Sequence, residues 1–287
     1  MTTMRLMAAM TMAALVGCGG LAIDETEEVG QAAADVLASF DEAGTGSGFA
    51  WNVVPLDRPG FDKSPLDRAL DLAMPSAYAA ACWGQSFATC NAGVRTKDFG
   101  DCALGANKLS GTVKLTFSDS GCSMAATGAS VTREANFTLT GRRDATLSVT
   151  SPGGGQMATR TADGWLFKVK GMERVMKDRN DKTLFDIATH TEEDLVVQGR
   201  ERFNRTIQSG KMVIEHKLAG YTTTLVPENV KWDGTCNCPV SGKLTGSITG
   251  GTSSGDSAVV EFTGCGTGKV TVGAEVKDVT FDRCAAL

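Results

Sequence analysis

The sequence predicts a mainly β protein: a large antiparallel twisted sheet, sandwich or partly closed barrel, with one or two short N-terminal helices. Three observations carry this. From Lys108 onward apolar residues alternate with polar ones at a period of two, the signature of half-buried strands. Pairs and clusters of turn-forming residues punctuate that pattern, as a meander of hairpins requires. Several of the alternating runs are longer than ordinary globular strands, which fits a long coiled sheet with one sheltered face.

At the start of the chain Arg5 precedes an apolar stretch from Leu6 to Val16, the layout of a secretory signal. The stretch is too short to span a bilayer as a helix. It ends in Leu15-Val16-Gly17-Cys18, which resembles the lipobox of bacterial lipoproteins. That resemblance implies removal of residues 1–17, acylation of Cys18 and attachment to a membrane through the lipid. Gly19 in place of an aspartate after the cysteine implies, by the same resemblance, delivery to the outer membrane of the cell envelope. Each buried methylene contributes about 0.8 kcal/mol, so two or more acyl chains hold a domain firmly.

Residues 18–48 read as a lipidated tether with a short helix. Val29, Ala33, Val36, Leu37 and Phe40 recur at helical spacing between Asp24 and Ala43, behind acidic residues that favour a helix N-terminus. Gly44 to Gly48 then breaks the run. Residues 49–107 form a cysteine-containing segment in which Ser64-Pro65 is a helix start and Leu66, Ala69, Leu70 and Ala73 share a face.

Residues 108–287 form the β domain. Val113, Leu115 and Phe117 alternate with polar residues, as do Phe137 and Leu139, Leu147 and Val149, Trp165, Phe167 and Val169, and Met212, Ile214 and Leu218. Turns are expected at 141–144, 178–181, Gly199-Arg200, Ser209-Gly210, Asp233-Gly234 and 250–255. Ten or eleven strands fit before Cys284. Leu109-Ser110-Gly111 and Val240-Ser241-Gly242 form a faint internal echo.

Beyond Cys18, eight cysteines remain: Cys82, Cys90, Cys102 and Cys122, then Cys236, Cys238, Cys265 and Cys284. An even number in an exported chain reads as disulfides. The two groups of four lie far apart, so pairing is expected within each. A bridge from Cys236 to Cys238 would close a strained ring, which directs these two to Cys265 and Cys284. A four-thiolate zinc site is the competing reading, although the C-x2-C spacing of zinc ribbons is absent.

The chain carries 28 basic and 33 acidic residues, a net charge of −5, and the expected removal of residues 1–17 would take Arg5 with it. A mildly acidic surface argues against nucleic acid, whose binding needs a basic face.

Candidate chemistry is sparse. Gly251-Thr252-Ser253-Ser254-Gly255 matches the letters of the hydrolase nucleophile elbow, but a strand follows where that elbow needs a helix. Only His190 and His216 supply imidazoles. His190 precedes the acidic run Glu192-Glu193-Asp194, and His216 adjoins Glu215, a conceivable cation site if the two meet across the sheet. A solvated charged patch is the plain alternative. Arg200 and Arg202, on one face if the segment is extended with Arg205 opposite, form a possible contact for an anion or lipid head group. No catalytic residue, metal or cofactor is assigned. The expectation is a noncatalytic binding or structural lipoprotein, partnered by lipid or an envelope protein. The alternatives are a hydrophobic-ligand carrier, loosely resembling lipoprotein-sorting families in architecture, and an envelope enzyme of unknown type.

Overall fold

A computed structural model describes residues 25–44 and 88–281, apart from positions 105, 106, 142, 143 and 237, together with Cys284. Helix α1 (Glu25–Gly44) comes first, followed by β1 (Val94–Asp98), β2 (Cys102–Leu104), β3 (Asn107–Phe117), β4 (Ser130–Thr140) and β5 (Thr146–Arg160). The chain continues through β6 (Gly164–Lys177), β7 (Thr183–Gln198), β8 (Thr206–His216) and β9 (Tyr221–Lys231). It ends with β10 (Ser241–Gly250), β11 (Ser257–Gly264), β12 (Thr267–Val272) and β13 (Glu275–Thr280). All of these strands belong to one antiparallel sheet in which sequence neighbours are spatial neighbours, running from β1 to β13 with β2 attached to β3 alone. The sheet is not closed, so β1 and β13 are its edges.

The alternation holds where one face is sheltered. In β4 the side chains of Val131, Ala135, Phe137 and Leu139 are buried on one face, and in β6 Trp165, Phe167 and Val169 are buried. These residues join Leu225, Leu244, Val260 and Val270 in one continuous core on the inner face. Strands β5 to β7 contain 15, 14 and 16 residues. Their pairings carry several register shifts, bulges that add local twist and let long strands coil.

Three expectations need correction. The sheet begins upstream of Lys108, because β1 and β2 belong to it. The β1 sequence VRTKD has no apolar alternation, and its most buried side chain is Lys97. Ser209-Gly210 is not a turn: it lies inside β8, where Gly210 has φ +127° beside a register shift against β7. The real turn follows His216, so Leu218 sits in a loop at 57 % exposure instead of on the strand's inner face. Helix α1 keeps the expected stripe: Val29, Ala33, Val36 and Leu37 are buried, while Glu27, Glu28 and Asp35, on the opposite face, are half-buried. Thr26 and every residue from Gly30 to Ala34 are buried too, so over residues 25–37 the covered face is broad, as the small side chains of Ala32-Ala33-Ala34 permit. The second helix expected at Ser64, and Cys18 and Cys82, lie outside the described residues.

The echo between Leu109-Ser110-Gly111 and Val240-Ser241-Gly242 has a local physical content. Gly111 and Gly242 have φ of +101° and +91°, and a Cβ on either would fall 2.3 and 2.2 Å from the carbonyl oxygen of the adjacent strand. Each is a place where only glycine lets two strands stay paired through a left-handed residue.

Helix α1 lies on the inner face. It packs against β11, β12 and β13 and also reaches β5, so the sheet curls around it. Burial of side chains such as Val29 and Leu37 stabilises by about 1.5–3 kcal/mol each. The two ends of the sheet differ. At one end lie the turns leading into β7, β9, β11 and β13, and the first turn of α1 is fixed there. At the other end lie three disulfides: Cys90–Cys122, Cys236–Cys265 and Cys238–Cys284. Cys102 is also disulfide-bonded. Cys90–Cys122 ties the chain entering edge strand β1 to the β3–β4 connection, and Cys238–Cys284 ties the exit from edge strand β13 to the β9–β10 connection. Both edges, the part of an open sheet most prone to pairing with another molecule, are therefore covalently braced.

Candidate functional site

A buried polar cluster among the described residues lies under α1, and it is built from residues far apart in sequence. His216 ends β8 and Tyr221 begins β9. Their direct pairing across the turn stacks the two rings at 4.1 Å between centroids with 18° between planes. His216 is 0 % exposed. Glu28, on the first turns of the helix, reaches both: the Tyr221 hydroxyl donates to Glu28 Oε2 at 3.2 Å, and His216 Nδ1 lies 3.3 Å from Glu28 Oε1. The His216 contact is close enough for ion pairing but is not aligned as a hydrogen bond.

Four further contacts hold the same helix. The Thr252 hydroxyl donates to Glu25 at 2.8 Å, and the Thr26 hydroxyl donates to Glu275 at 3.0 Å. Gln31 Nε2 donates to the Thr280 carbonyl at 2.6 Å, and Asp35 pairs with the Arg174 guanidinium on β6. The result is a helix fixed by side chains from β6, β8 and β9, by β13 and by the β10–β11 turn. Buried carboxylates need such partners, since an uncompensated charge in this position costs several kcal/mol. Arranged this way, glutamate, histidine and tyrosine fasten an element; the imidazole is closed off from solvent.

His190 and His216 face opposite sides of the sheet. His190 lies on the outer face, with Nδ1 3.8 Å from Glu215 Oε1. A shared cation site is therefore ruled out by the period of two, which sends residues paired with Val213 and Ile187 to different faces. The acidic run is neutralised by lysines of neighbouring strands: Lys211 contacts Glu192 and Glu193 at 3.2 and 3.7 Å, and Lys168 contacts Asp194 at 3.3 Å. The hydrogen bond to Glu192, foremost, holds the Lys211 pKa above its ordinary value. Among the described residues, no group of three or more His, Cys, Asp and Glu is placed to hold a metal ion.

Arg200 and Arg202 are not side by side on a strand. Residues 199–205 form a tight connection containing the single-turn helix Arg202–Asn204. The Arg200 guanidinium donates to the Ala162 carbonyl in the neighbouring turn, and the Arg200 carbonyl accepts from Trp165 Nε1 at 3.3 Å. Arg205 is turned inward, 1 % exposed and 5.9 Å from the Trp232 ring. Phe203, at the tip, is 67 % exposed. Gly251 to Gly255 joins β10 to β11 as a hairpin, and Ser254 Oγ accepts from Gly250 N at 3.1 Å.

Sequence reasoning missed Glu28 and Tyr221 because nothing local links a helical glutamate to a tyrosine 193 residues away. It also missed the inner-face cations. Arg133 is 2 % exposed and bonded to Gln156 of the paired strand. Lys97 is 5 % exposed, with burial lowering its pKa. Comparison with protein-family models, curated proteins and solved structures finds no match to this chain.

Proposed function

We propose that this chain is a disulfide-stapled binding or structural protein of the bacterial cell envelope, noncatalytic and held to a membrane by a lipid on Cys18. The observation that carries the reading is the placement of the disulfides. Two bridges brace the two edges of a single open sheet and a third ties neighbouring inner connections, and such a design suits an oxidising compartment and a long exposed life outside the cytoplasm. The lipobox-like Leu15-Val16-Gly17-Cys18 supports the same compartment. The closed-off Glu28–His216–Tyr221 cluster fits a fastening role better than turnover of a substrate.

Two measurements test this. Cys18→Ser should move the protein from the membrane to the soluble fraction or block processing of its leader. Unchanged membrane association with normal processing would refute the anchor. Nonreducing peptide mapping should find the bridges named above, with none joining residues 82–122 to residues 236–284.

A second reading, a carrier of an apolar ligand, has one observation in its favour: the curled sheet is open and its inner face is lined by apolar side chains. Native mass spectrometry of the exported protein distinguishes the two. A lipid-sized excess mass that disappears on denaturation supports the carrier.

A further inference from the structure

Six large apolar residues among those described are more than a third exposed, and two of them, Leu184 at 43 % and Leu218 at 57 %, lie on neighbouring hairpins at one end of the sheet. The backbone N–H of Lys217 donates to the Asp186 carbonyl at 2.9 Å, which sets the β8–β9 turn against the start of β7. Val276, 55 % exposed, lies near the start of edge strand β13 at the same end. The adjoining β6–β7 turn is shaped by Asp178, whose carboxylate accepts from the backbone of Asn180 and Lys182 at 2.8 and 3.0 Å. That turn, a few residues before Leu184, leaves Arg179 and Lys182 exposed, with Asp181 exposed between them.

The first turn of α1 is fixed at this end, through Glu25 to Thr252, Thr26 to Glu275 and Glu28 to Tyr221. Only residues 19–24 separate Glu25 from Cys18. That stretch spans about 25 Å at most when fully extended. A strand of eleven residues such as β8 or β9 is longer, about 36 Å. An anchor on Cys18 therefore keeps the end bearing Leu184 and Leu218 within reach of the leaflet, and the tether is shorter than the strands that separate this end from Phe203.

We infer that the end formed by the β6–β7 and β8–β9 turns is a lipid-contacting surface, with Leu184 and Leu218 entering the head-group region and Arg179 and Lys182 meeting lipid phosphates. This rests on the lipid anchor proposed above. The chemistry matches an interface: short apolar side chains beside long basic ones whose stems lie against acyl chains while their charges stay in water.

Hydroxyl-radical footprinting of the full lipidated protein, in vesicles of phosphatidylethanolamine and phosphatidylglycerol, tests it. The reference is the Cys18→Ser chain, or a chain exported from Gly19 behind an ordinary leader if that variant is not processed. Low labelling of buried Ile248 confirms that the reference is folded. Labelling of Leu184 and Leu218 should fall severalfold in vesicles, while Phe203 labels equally in both. Equal labelling of the leucines, or protection of Phe203 alone, overturns the inference. Intact mass separates the two readings: a protein without acyl groups on Cys18 defeats both, whereas an acylated protein with unprotected leucines defeats only the surface. Protection in the native envelope but not in vesicles overturns it in favour of a protein partner.

Discussion

Gly30 shows how much one residue's size can matter here. It lies mid-helix, where alanine would ordinarily stabilise by about 1 kcal/mol. In this protein a Cβ at that position would come 2.5 Å from Val270 Cγ2, and the side chain of valine is stiff. Gly30→Ala should therefore lower the denaturation midpoint, and Val270→Ala should recover part of the loss in a double-mutant cycle. Asp186 tests a different force. Burial, foremost, raises its pKa above 3.8, with Glu173 adding to the rise and Lys217 opposing it. A raised carboxyl favours the fold where it is protonated, and that contribution is lost as pH climbs through the folded value. Asp186→Asn should accordingly melt at or above the parent at pH 7, with the gap narrowing as pH falls toward about 4. Thermal melts across that range would show it, and a gap that widens in acid would contradict the assignment.

At the scale of elements, the strands from β3 onward are legible in the sequence because one sheltered face imposes a period of two, and α1 is legible from its acidic start and its spacing. What stays hidden has particular causes. In β1 the single well-buried side chain is a lysine, which no apolar pattern reveals. Ser209-Gly210 reads as a turn because glycine with positive φ serves a bulge equally well. His216 takes the inner position next in step after Met212 and Ile214, and β8 ends there, so the alternation that would place Leu218 inside runs one step past the strand. The cysteine spacing, by contrast, constrains the bridges well, since Cys236 and Cys238 have few partners that geometry allows. Replacing Cys238 and Cys284 together by serine should cost about 2–4 kcal/mol, the range for a natural bridge closing a loop of this kind. Urea denaturation of the oxidised variant against the parent would measure it. A change within error would mean that the edge strand β13 is held by its ladder and by α1 alone.

The whole molecule is a strip of hairpins in which almost every strand finds its partner immediately before or after it in the chain. Its helix is the exception. Thr26 and Gln31 find their partners 249 residues later, on Glu275 and Thr280. A chain ended at Ala274 should keep its central hairpins but lose the protection of α1 against protease, which limited proteolysis followed by mass mapping would detect. The same long reach sets an order of events. Hairpin can zip onto hairpin as the chain emerges, because those contacts are local, whereas distant ones wait on the entropy of a closed loop. The segment that comes first among the described residues is thus the last to be secured. Until β13 exists, the inner face lacks part of its cover, and nascent copies share an exposure to aggregation that the finished protein does not have.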